Sequence, residues 1–392
     1  MKKIIYAAMF FLAITMMCGN AEKAKAKSYK AGKFKYQYKN TKKGVWITKI
    51  TPLSSKGISK LNIPVKIKGK KVVKLGNTKD KYGTDDEARN IFGLMMCDPD
   101  GVGNFVISNT KAQKRIEKIK KINLPSSIVS ITPRCFYYVQ DGKEINIPKG
   151  VKKEVVNQFT RVKWKKVKIS SNNKIYKLKS GCLLSKNGKI LYGLVYKKKK
   201  LIVPKTVIEI NTSDSRDTVE NTMGDHGLAF FGCETMVISK NVEKINFYIY
   251  NCSLMKVEVD PANKYFASKD GSLYNKKNGK LIWLHQNDGI YNIPDGVKEI
   301  PYDFYADGKA KKMIIPASTK KVSNVSRYFS VKDAIVVCCG KEPPILTENK
   351  WLHFNEFDVM NFTIYVPKGC KETYEKAWKL EGEYVKFTFV EQ

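Results

Sequence analysis

The chain has 392 residues, of which 43% are hydrophobic, and 72 lysines and arginines stand against 36 aspartates and glutamates for a formal net charge of +36. That apolar share excludes a disordered chain, and the length exceeds what one ordinary hydrophobic core holds. The charge favours polyanionic surroundings and is screened by salt.

The chain opens with Lys2-Lys3 and an apolar run from Ile4 to Met17, followed by small residues at Gly19-Asn20-Ala21 and Ala24-Lys25-Ala26, the pattern of an export signal. The run is about 14 residues, short of the roughly 20 that a spanning helix needs. A signal peptide over residues 1–21 is expected. Its removal takes Lys2 and Lys3 and leaves a net charge of +34. Met17 before Cys18 is bulky where a lipid-attachment motif needs a small residue, so no lipid anchor is expected at Cys18. No later stretch is apolar enough to span a membrane, and no Leu-Pro-x-Thr-Gly sorting motif ends the chain. The expected product is secreted, or held at the cell surface without a covalent link. Residues 22–32, rich in lysine and alanine, read as a basic linker.

Beyond the linker one pattern keeps returning: an apolar pair around a polar residue, a proline, then a second apolar pair. It reads Leu61-Asn62-Ile63-Pro64, Ile122-Asn123-Leu124-Pro125, Ile145-Asn146-Ile147-Pro148, Leu201-Ile202-Val203-Pro204, Tyr291-Asn292-Ile293-Pro294, Met313-Ile314-Ile315-Pro316 and Ile364-Tyr365-Val366-Pro367. Pro125 and Pro148 are 23 residues apart, and Pro294 and Pro316 are 22 apart. Ser239 and Asp260, which hold the proline position in their own units, are separated by 21. These spacings fall within the roughly 20–29 residues of a leucine-rich coil. Each coil supplies one short strand whose alternate residues, such as Ile145, Ile147, Val257, Val259, Met313 and Ile315, point inward, and proline ends the strand where no donor is required. The second pairs, as in Val129-Ser130-Ile131 and Val207-Ile208-Glu209-Ile210, turn back beneath it. Stacked coils are expected to form one parallel ladder.

Two longer units match each other 90 residues apart. The first, residues 169–210, holds Tyr176, Gly181-Cys182-Leu183-Leu184 and Asn187-Gly188-Lys189-Ile190; the second, residues 259–300, holds Phe266, Gly271-Ser272-Leu273-Tyr274 and Asn278-Gly279-Lys280-Leu281 with one inserted residue. Asn-Gly between apolar stretches signals a hairpin. The unit Ala229-Phe230-Phe231-Gly232-Cys233-Glu234-Thr235-Met236-Val237-Ile238, with Cys252 in register one coil later, resembles the BspA-like leucine-rich-repeat surface proteins of bacteria. That resemblance covers about residues 33–392 and implies surface display with adhesion or protein–protein interaction. The expected fold is a mainly β repeat solenoid: a leucine-rich-repeat-like, right-handed coil stack with a parallel β ladder, hairpin inserts and a short C-terminal helix. The expected organisation is an N-terminal hairpin cap over 33–76, the solenoid over 77–363 with inserts at 169–210 and 259–300, and a C-terminal cap over 364–392. Residues 77–115 and 330–361 show no clean coil, and a specific function is most easily placed there.

Chemistry-bearing residues are sparse. Cys233, Cys252 and Cys135 hold packing positions and read as buried free thiols. Cys338-Cys339 lack companions at zinc-site spacing. Of the histidines, His226 sits in a polar loop, His285 stands where the first insert has Leu194, and His353 lies near Glu356 and Asp358 without a second cluster. No Walker loop or dinucleotide fingerprint occurs. No catalytic residue, metal or cofactor is therefore expected; an enzyme with its site in residues 77–115 is the remote alternative. Two binding functions stay open: a protein or glycan ligand at the cell surface, or electrostatic attachment to an anionic polymer such as teichoic acid or an acidic glycan. The lysines read as coating the outward faces of the solenoid, and Lys197, Lys198, Lys199 and Lys200 are the candidate polyanion contact. Nucleic acid is not an expected partner, since no aromatic spacing accompanies the lysines.

Overall fold

The computed structural model describes residues 27–54, 56, 58–76, 90–93, 111–132, 135–136, 139, 142–151, 159–160, 163–212, 230, 232–246, 254–285, 289–301, 310–323, 329, 333–347, 360–379 and 385–392. The expected signal peptide, most of residues 77–115, and the coil positions at Cys252, His226 and His353 lie outside them.

Strands β1 (Lys27–Ala31), β2 (Phe34–Thr41) and β3 (Gly44–Pro52) form an antiparallel meander. Phe34, Tyr36 and Tyr38 alternate with more exposed residues and bury one face. Residues 27–31 are thus a paired strand and not linker, because Tyr29 and Ala31 pack against the first core. The same region already contains a coil: β4 (Lys60–Asn62), β5 (Lys66–Ile67) and β6 (Lys70–Leu75) follow, and β6 pairs with β3 in parallel.

Two parallel ladders then run along the chain. After helix α1 (Lys111–Glu117) come β7 (Lys121–Asn123), β8 (Ser130–Ile131), β9 (Glu144–Ile147) and β10 (Lys166–Ile169). The strands that precede the prolines, joined by β10 ahead of Ser170, pair as β4, β7, β9, β10, which aligns Leu61, Ile122, Ile145 and Val167 in one buried column. The second apolar pairs form the other ladder, with Ile47, Leu75 and Ile131 in register. The proline between them has a clear duty. Its carbonyl accepts the N–H three residues on, from Ile128 to Pro125 at 3.1 Å and from Val207 to Pro204 at 2.9 Å. Proline keeps this acceptor while its missing donor ends the ladder there; where another residue holds the position the N–H does donate to the coil before, from Asp260 to Ile238 and from Cys339 to Ile315, each at 2.9 Å. Ser239 accepts from Val242 and Asp260 from Asn263 in the same way.

The inserts interrupt the first ladder. Strands β11 (Tyr176–Lys179), β12 (Cys182–Ser185) and β13 (Ile190–Leu194) form an antiparallel sheet, and β13 joins the second ladder through β15 (Glu209–Asn211) and β17 (Lys244–Asn246). The first ladder resumes as β14 (Lys200–Ile202), β16 (Thr235–Ile238) and β18 (Lys256–Val259). The second insert repeats the break with β19 (Phe266–Lys269), β20 (Ser272–Asn275) and β21 (Leu281–Trp283). The ladder resumes again with β22 (Ile290–Asn292), while β23 (Glu299–Ile300) continues the second one. Next come β24 (Lys312–Ile315), β25 (Lys321–Val322), β26 (Asp333–Cys338), β27 (Ile345–Leu346) and β28 (Met360–Val366). Helix α2 (Lys371–Trp378) leads to β29 (Val385–Glu391), a final parallel strand absent from the sequence expectation. The expected single ladder is therefore three sheets, although the inward residues behave as expected: Ile145, Ile147, Val257, Met313 and Ile315 are buried and Val259 is half-buried.

Each break in the ladder is also a break in the core. In β12 every residue is buried: Leu183 packs in the N-terminal core, while Cys182 and Leu184 pack in the middle one. In the second insert, Leu273 and Trp283 face the middle core, and Leu281 and Leu284 the C-terminal one. Strand β12 thus has two apolar faces and no solvent face. Strand pairing also sets the insert alignment: Leu184 faces Leu191 and Tyr274 faces Leu281, so Leu284, not His285, takes the place of Leu194. Residues 330–361, expected to lack a coil, contain β26 and β27, which pair in both ladders. Ile315 pairs with Cys338, so Cys339 stands where the neighbouring coil has Pro316, and the missing proline hid the repeat.

Not every lysine lies on the outer surface. Lys143 and Lys163 are each only 3% exposed. The Lys143 ammonium donates to the carbonyls of Ile116 at 3.0 Å and Ile119 at 2.6 Å, in the last turn of α1 and just past it, where basic groups commonly cap helix carbonyls. Lys163 does the same for Thr160 at 2.6 Å and Leu194 at 2.8 Å. Burial, aided by Lys120, pulls Lys143 down to about 8, against the opposing pull of Glu117. With the folded value below the unfolded one, the unfolded chain binds more protons between about pH 8 and pH 10.5, and this residue makes folding more favourable as pH rises through that window. The stability difference between the wild type and Lys143→Met, measured by urea unfolding, should shift towards the wild type from pH 8 to pH 10. A difference that stays flat with pH would contradict a buried, titrating Lys143.

Candidate functional site

The first ladder has an inner face in the core and an outer face, and the outer face changes character along the chain. On the N-terminal sheet it carries Lys60, Lys121, Glu144 and Lys166 in one row and Asn62 beside Asn123 in the next. Asn123 Nδ2 donates to Asn62 Oδ1 at 2.6 Å. Asn146 clasps the backbone of Leu124, accepting from its N–H at 2.7 Å and donating to its carbonyl at 2.8 Å. The asparagine of the Leu/Ile-Asn-Ile/Leu-Pro motif thus ties one coil to the next, a duty its recurrence in the sequence signals.

On the middle sheet the outer rows are Lys200, Thr235, Lys256 and Ile202, Val237, Glu258. Ile202 is 65% exposed. Here the candidate polyanion contact meets its surroundings. Lys199 Nζ lies 3.5 Å from Glu234 Oε1, Lys200 Nζ lies 3.8 Å from Glu258 Oε2, and Lys256 Nζ lies 2.9 Å from Glu258 Oε1. The hydrogen bond from Lys256 holds the Glu258 carboxyl below the usual carboxylate range, and Lys200 adds to this. Lys198 reaches the Ser180 carbonyl at 3.4 Å, and Lys197 is exposed beside Gly232. Exposed ion pairs of this kind add about 0–1 kcal/mol to stability. They do offset part of the charge of the run.

On the C-terminal sheet the outer face turns apolar. Beyond Asn292, Ile314, Val337, Tyr365 and Val390 stand in one cross-strand row on β24, β26, β28 and β29, while the adjacent row is mixed, with Ile290 and Ile335 flanking Lys312 and then Thr363 and Thr388. Ile290 is 43% exposed, Ile314, Ile335, Tyr365 and Val390 are half-buried, and Val337 between them is buried. Sequence reading passed over this stripe because it looked only for chemistry-bearing residues. The available signal was the loss of polar alternation in Ile335-Val336-Val337 and Met313-Ile314-Ile315.

The thiols are mostly sealed. Cys135, Cys182, Cys233, Cys338 and Cys370 are buried thiols outside any disulfide, and Cys339 is an exposed one. Burial pushes Cys182 up to about 11 despite nearby Lys198, pushes Cys338 up to about 12, and raises Cys233. High values of this kind leave little thiolate to attack anything. His285 is half-buried, its Nδ1 against the Met255 carbonyl and its backbone N–H on Ser272 Oγ at 2.9 Å, so it braces the second insert. Among the described residues no three metal-ligating side chains come together, and no helix is long and apolar enough to cross a membrane.

Residues 107–189 match the family described as BspA type leucine rich repeat region, with six copies. No curated protein matches the chain. Among solved structures it is similar to the pneumococcal vaccine antigen PcpA, at 14% identity and a TM-score of 0.33 over 93% of this chain and 99% of that one. It is also similar to a leucine rich cell surface protein from Faecalibacterium prausnitzii, at 12% identity and a TM-score of 0.35 over 92% and 95%. A leucine-rich repeat protein from Bacteroides ovatus gives 13% and 0.33 over 92% and 99%. Overall superpositions this loose carry no argument about binding.

The thiol geometry has a direct test. Native protein treated with a small maleimide and mapped by peptide mass should show fast labelling at Cys339 and slow labelling at Cys182, Cys233 and Cys338 until denaturant is added. Fast labelling of Cys233 in the native state, or a disulfide from Cys233 to Cys252, would contradict the buried free thiol.

Proposed function

We propose that this chain, a bacterial protein built of BspA-type leucine-rich repeats, is exported and acts without catalysis by holding a protein partner at the cell surface or on a host. Coil stacking gives such solenoids an extended face, and leucine-rich repeat proteins generally bind proteins. The carrying observation is the apolar row Ile314, Val337, Tyr365 and Val390 on the outer face of the C-terminal sheet. A parallel sheet normally has both faces covered, and here Ile314, Tyr365 and Val390 stay half-exposed around the buried Val337, an aromatic and branched-aliphatic surface that polar side chains would replace without loss to folding. Aromatic residues in such positions anchor interfaces. Export is supported by the charged and apolar N-terminal pattern of residues 1–21.

A second reading is electrostatic attachment to an anionic envelope polymer through the +36 charge, with Lys197, Lys198, Lys199 and Lys200 as contact. The exposure of Lys199 and Lys200 favours it, and their pairing with Glu234 and Glu258 weighs against it. One experiment separates the two. Wild type, Ile314→Lys/Tyr365→Lys, and a variant with serine at all four lysines are compared for retention on immobilised host-matrix and bacterial-wall proteins at low and high salt. Protein docking predicts retention that survives salt, falls about tenfold or more in the Ile314/Tyr365 variant, and is unchanged in the serine variant, with thermal midpoints close to wild type. Retention that fades with salt and ignores the Ile314/Tyr365 change would overturn protein docking.

A further inference from the structure

The middle stack carries a second lysine array, at the opposite end of its strands from residues 197–200. The turns that follow each strand lie side by side there, and between them runs an open cleft of about 770 Å³. Along it come Lys189 from the hairpin turn of the first insert, Lys205 and Lys240 from two successive coils, and Lys264 from the start of the second insert. Hydrogen bonds fix that order. Thr206 Oγ1 donates to Gly188 O at 3.1 Å, Asn241 Nδ2 to Lys205 O at 2.7 Å, and Asn263 Nδ2 to Ser239 O at 2.9 Å. Asn263 is buried and also accepts the N–H groups of Tyr265 and Phe266, so the turn bearing Lys264 is braced from within.

Three features make the cleft a site and not one more solvated surface. The four lysines occupy consecutive turns of a stack whose strands repeat at about 4.8 Å, so like charges are held in an axial line. Lys199 and Lys200 have carboxylate partners, whereas none of these four is ion-paired among the described residues. The lining has one carboxylate, Glu243, against four ammoniums. Finally, Tyr265 is 42% exposed at the far end and offers a flat apolar surface beside the charges. Ammonium groups act as point charges towards phosphate or sulfate and do not demand the planar fork of a guanidinium.

We infer that this cleft binds a linear anionic polysaccharide lying along the solenoid axis, its sulfate or phosphate groups on Lys189, Lys205, Lys240 and Lys264 and a sugar ring against Tyr265. The inference rests on the electrostatic second reading above and gives it a location other than residues 197–200. It is independent of the apolar row on β24 to β29.

The test uses the purified protein with dextran sulfate as the sulfated sugar polymer, neutral dextran, and inorganic polyphosphate as an anion without sugar. Lys205→Ser/Lys240→Ser/Lys264→Ser should bind dextran sulfate about tenfold or more weakly than wild type, and the slope of log affinity against log salt should fall by about two to three. The serine variant at residues 197–200 should stay within about threefold. Tyr265→Ser should weaken dextran sulfate and leave polyphosphate unchanged, and neutral dextran should not bind. Thermal midpoints serve as the folding control. Equal losses from the triple variant and from the variant at residues 197–200 would overturn the cleft while leaving a diffuse electrostatic attachment standing. No binding of wild type to either polyanion would end both.

Discussion

Backbone hydrogen bonds between neighbouring coils set the register of this protein, and register decides which side chains meet. A strand slipped by one residue would move its apolar set from core to solvent. Because Met313 pairs with Tyr291 on one side and Val336 on the other, and Val336 with Ile364, four apolar side chains stack in one column beneath the sheet. Burying each is worth about 1.5–3 kcal/mol, and no coil gains that alone. The turn after each strand, with its proline, serine or aspartate carbonyl accepting the N–H three residues on, returns the chain so that the next coil meets the last in register.

The inserts extend this logic past a limit. A stack of coils ends in an open apolar surface, and each insert closes one stack while opening the next, because β12 and β20 carry side chains into cores on both sides. Cys182 is buried for that reason, and its counterpart Ser272 is buried too, donating no charge and accepting the His285 N–H. The same turns that seat the inserts line up Lys189, Lys205, Lys240 and Lys264, so a charged groove across the middle stack comes from the stacking itself. At the C-terminal end the closing elements are α2 and β29: Trp378 and Tyr374 are buried, and Trp378 Nε1 donates to the Pro344 carbonyl at 2.8 Å.

Much of the fold was legible because the pattern is punctuated. Proline at Pro125, Pro148, Pro294 and Pro316 marks strand ends, and Ser239 and Asp260 were legible by spacing alone. The pattern failed where a punctuating residue gave no hint: Cys339 stands level with Pro316, so the coil of β26 went unseen. Continuity of the ladder was not legible: the inserts at 169–210 and 259–300 showed as matched hairpin units, but local alternation does not say that they part the first ladder into separate sheets. Nor was the place of Lys143, because burial of a lysine depends on carbonyls of α1 that are distant in sequence. Site residues were harder still. Residues 197–200 caught the eye as a run, but Glu234 and Glu258 reach them from other coils, whereas the cleft lysines are scattered singly over 76 positions of sequence and meet only in the stack.

That the two inserts fasten three stacks into one body can be tested by native-state hydrogen exchange on Leu183→Ala/Leu184→Ala, which removes side chains from both faces of β12 at once. Faster exchange should spread to β9 and β10 on one side and to β14 and β16 on the other, while β24 and β26 keep wild-type protection. Loss of protection confined to residues 176–194, with both neighbouring stacks unchanged, would contradict the double-faced insert.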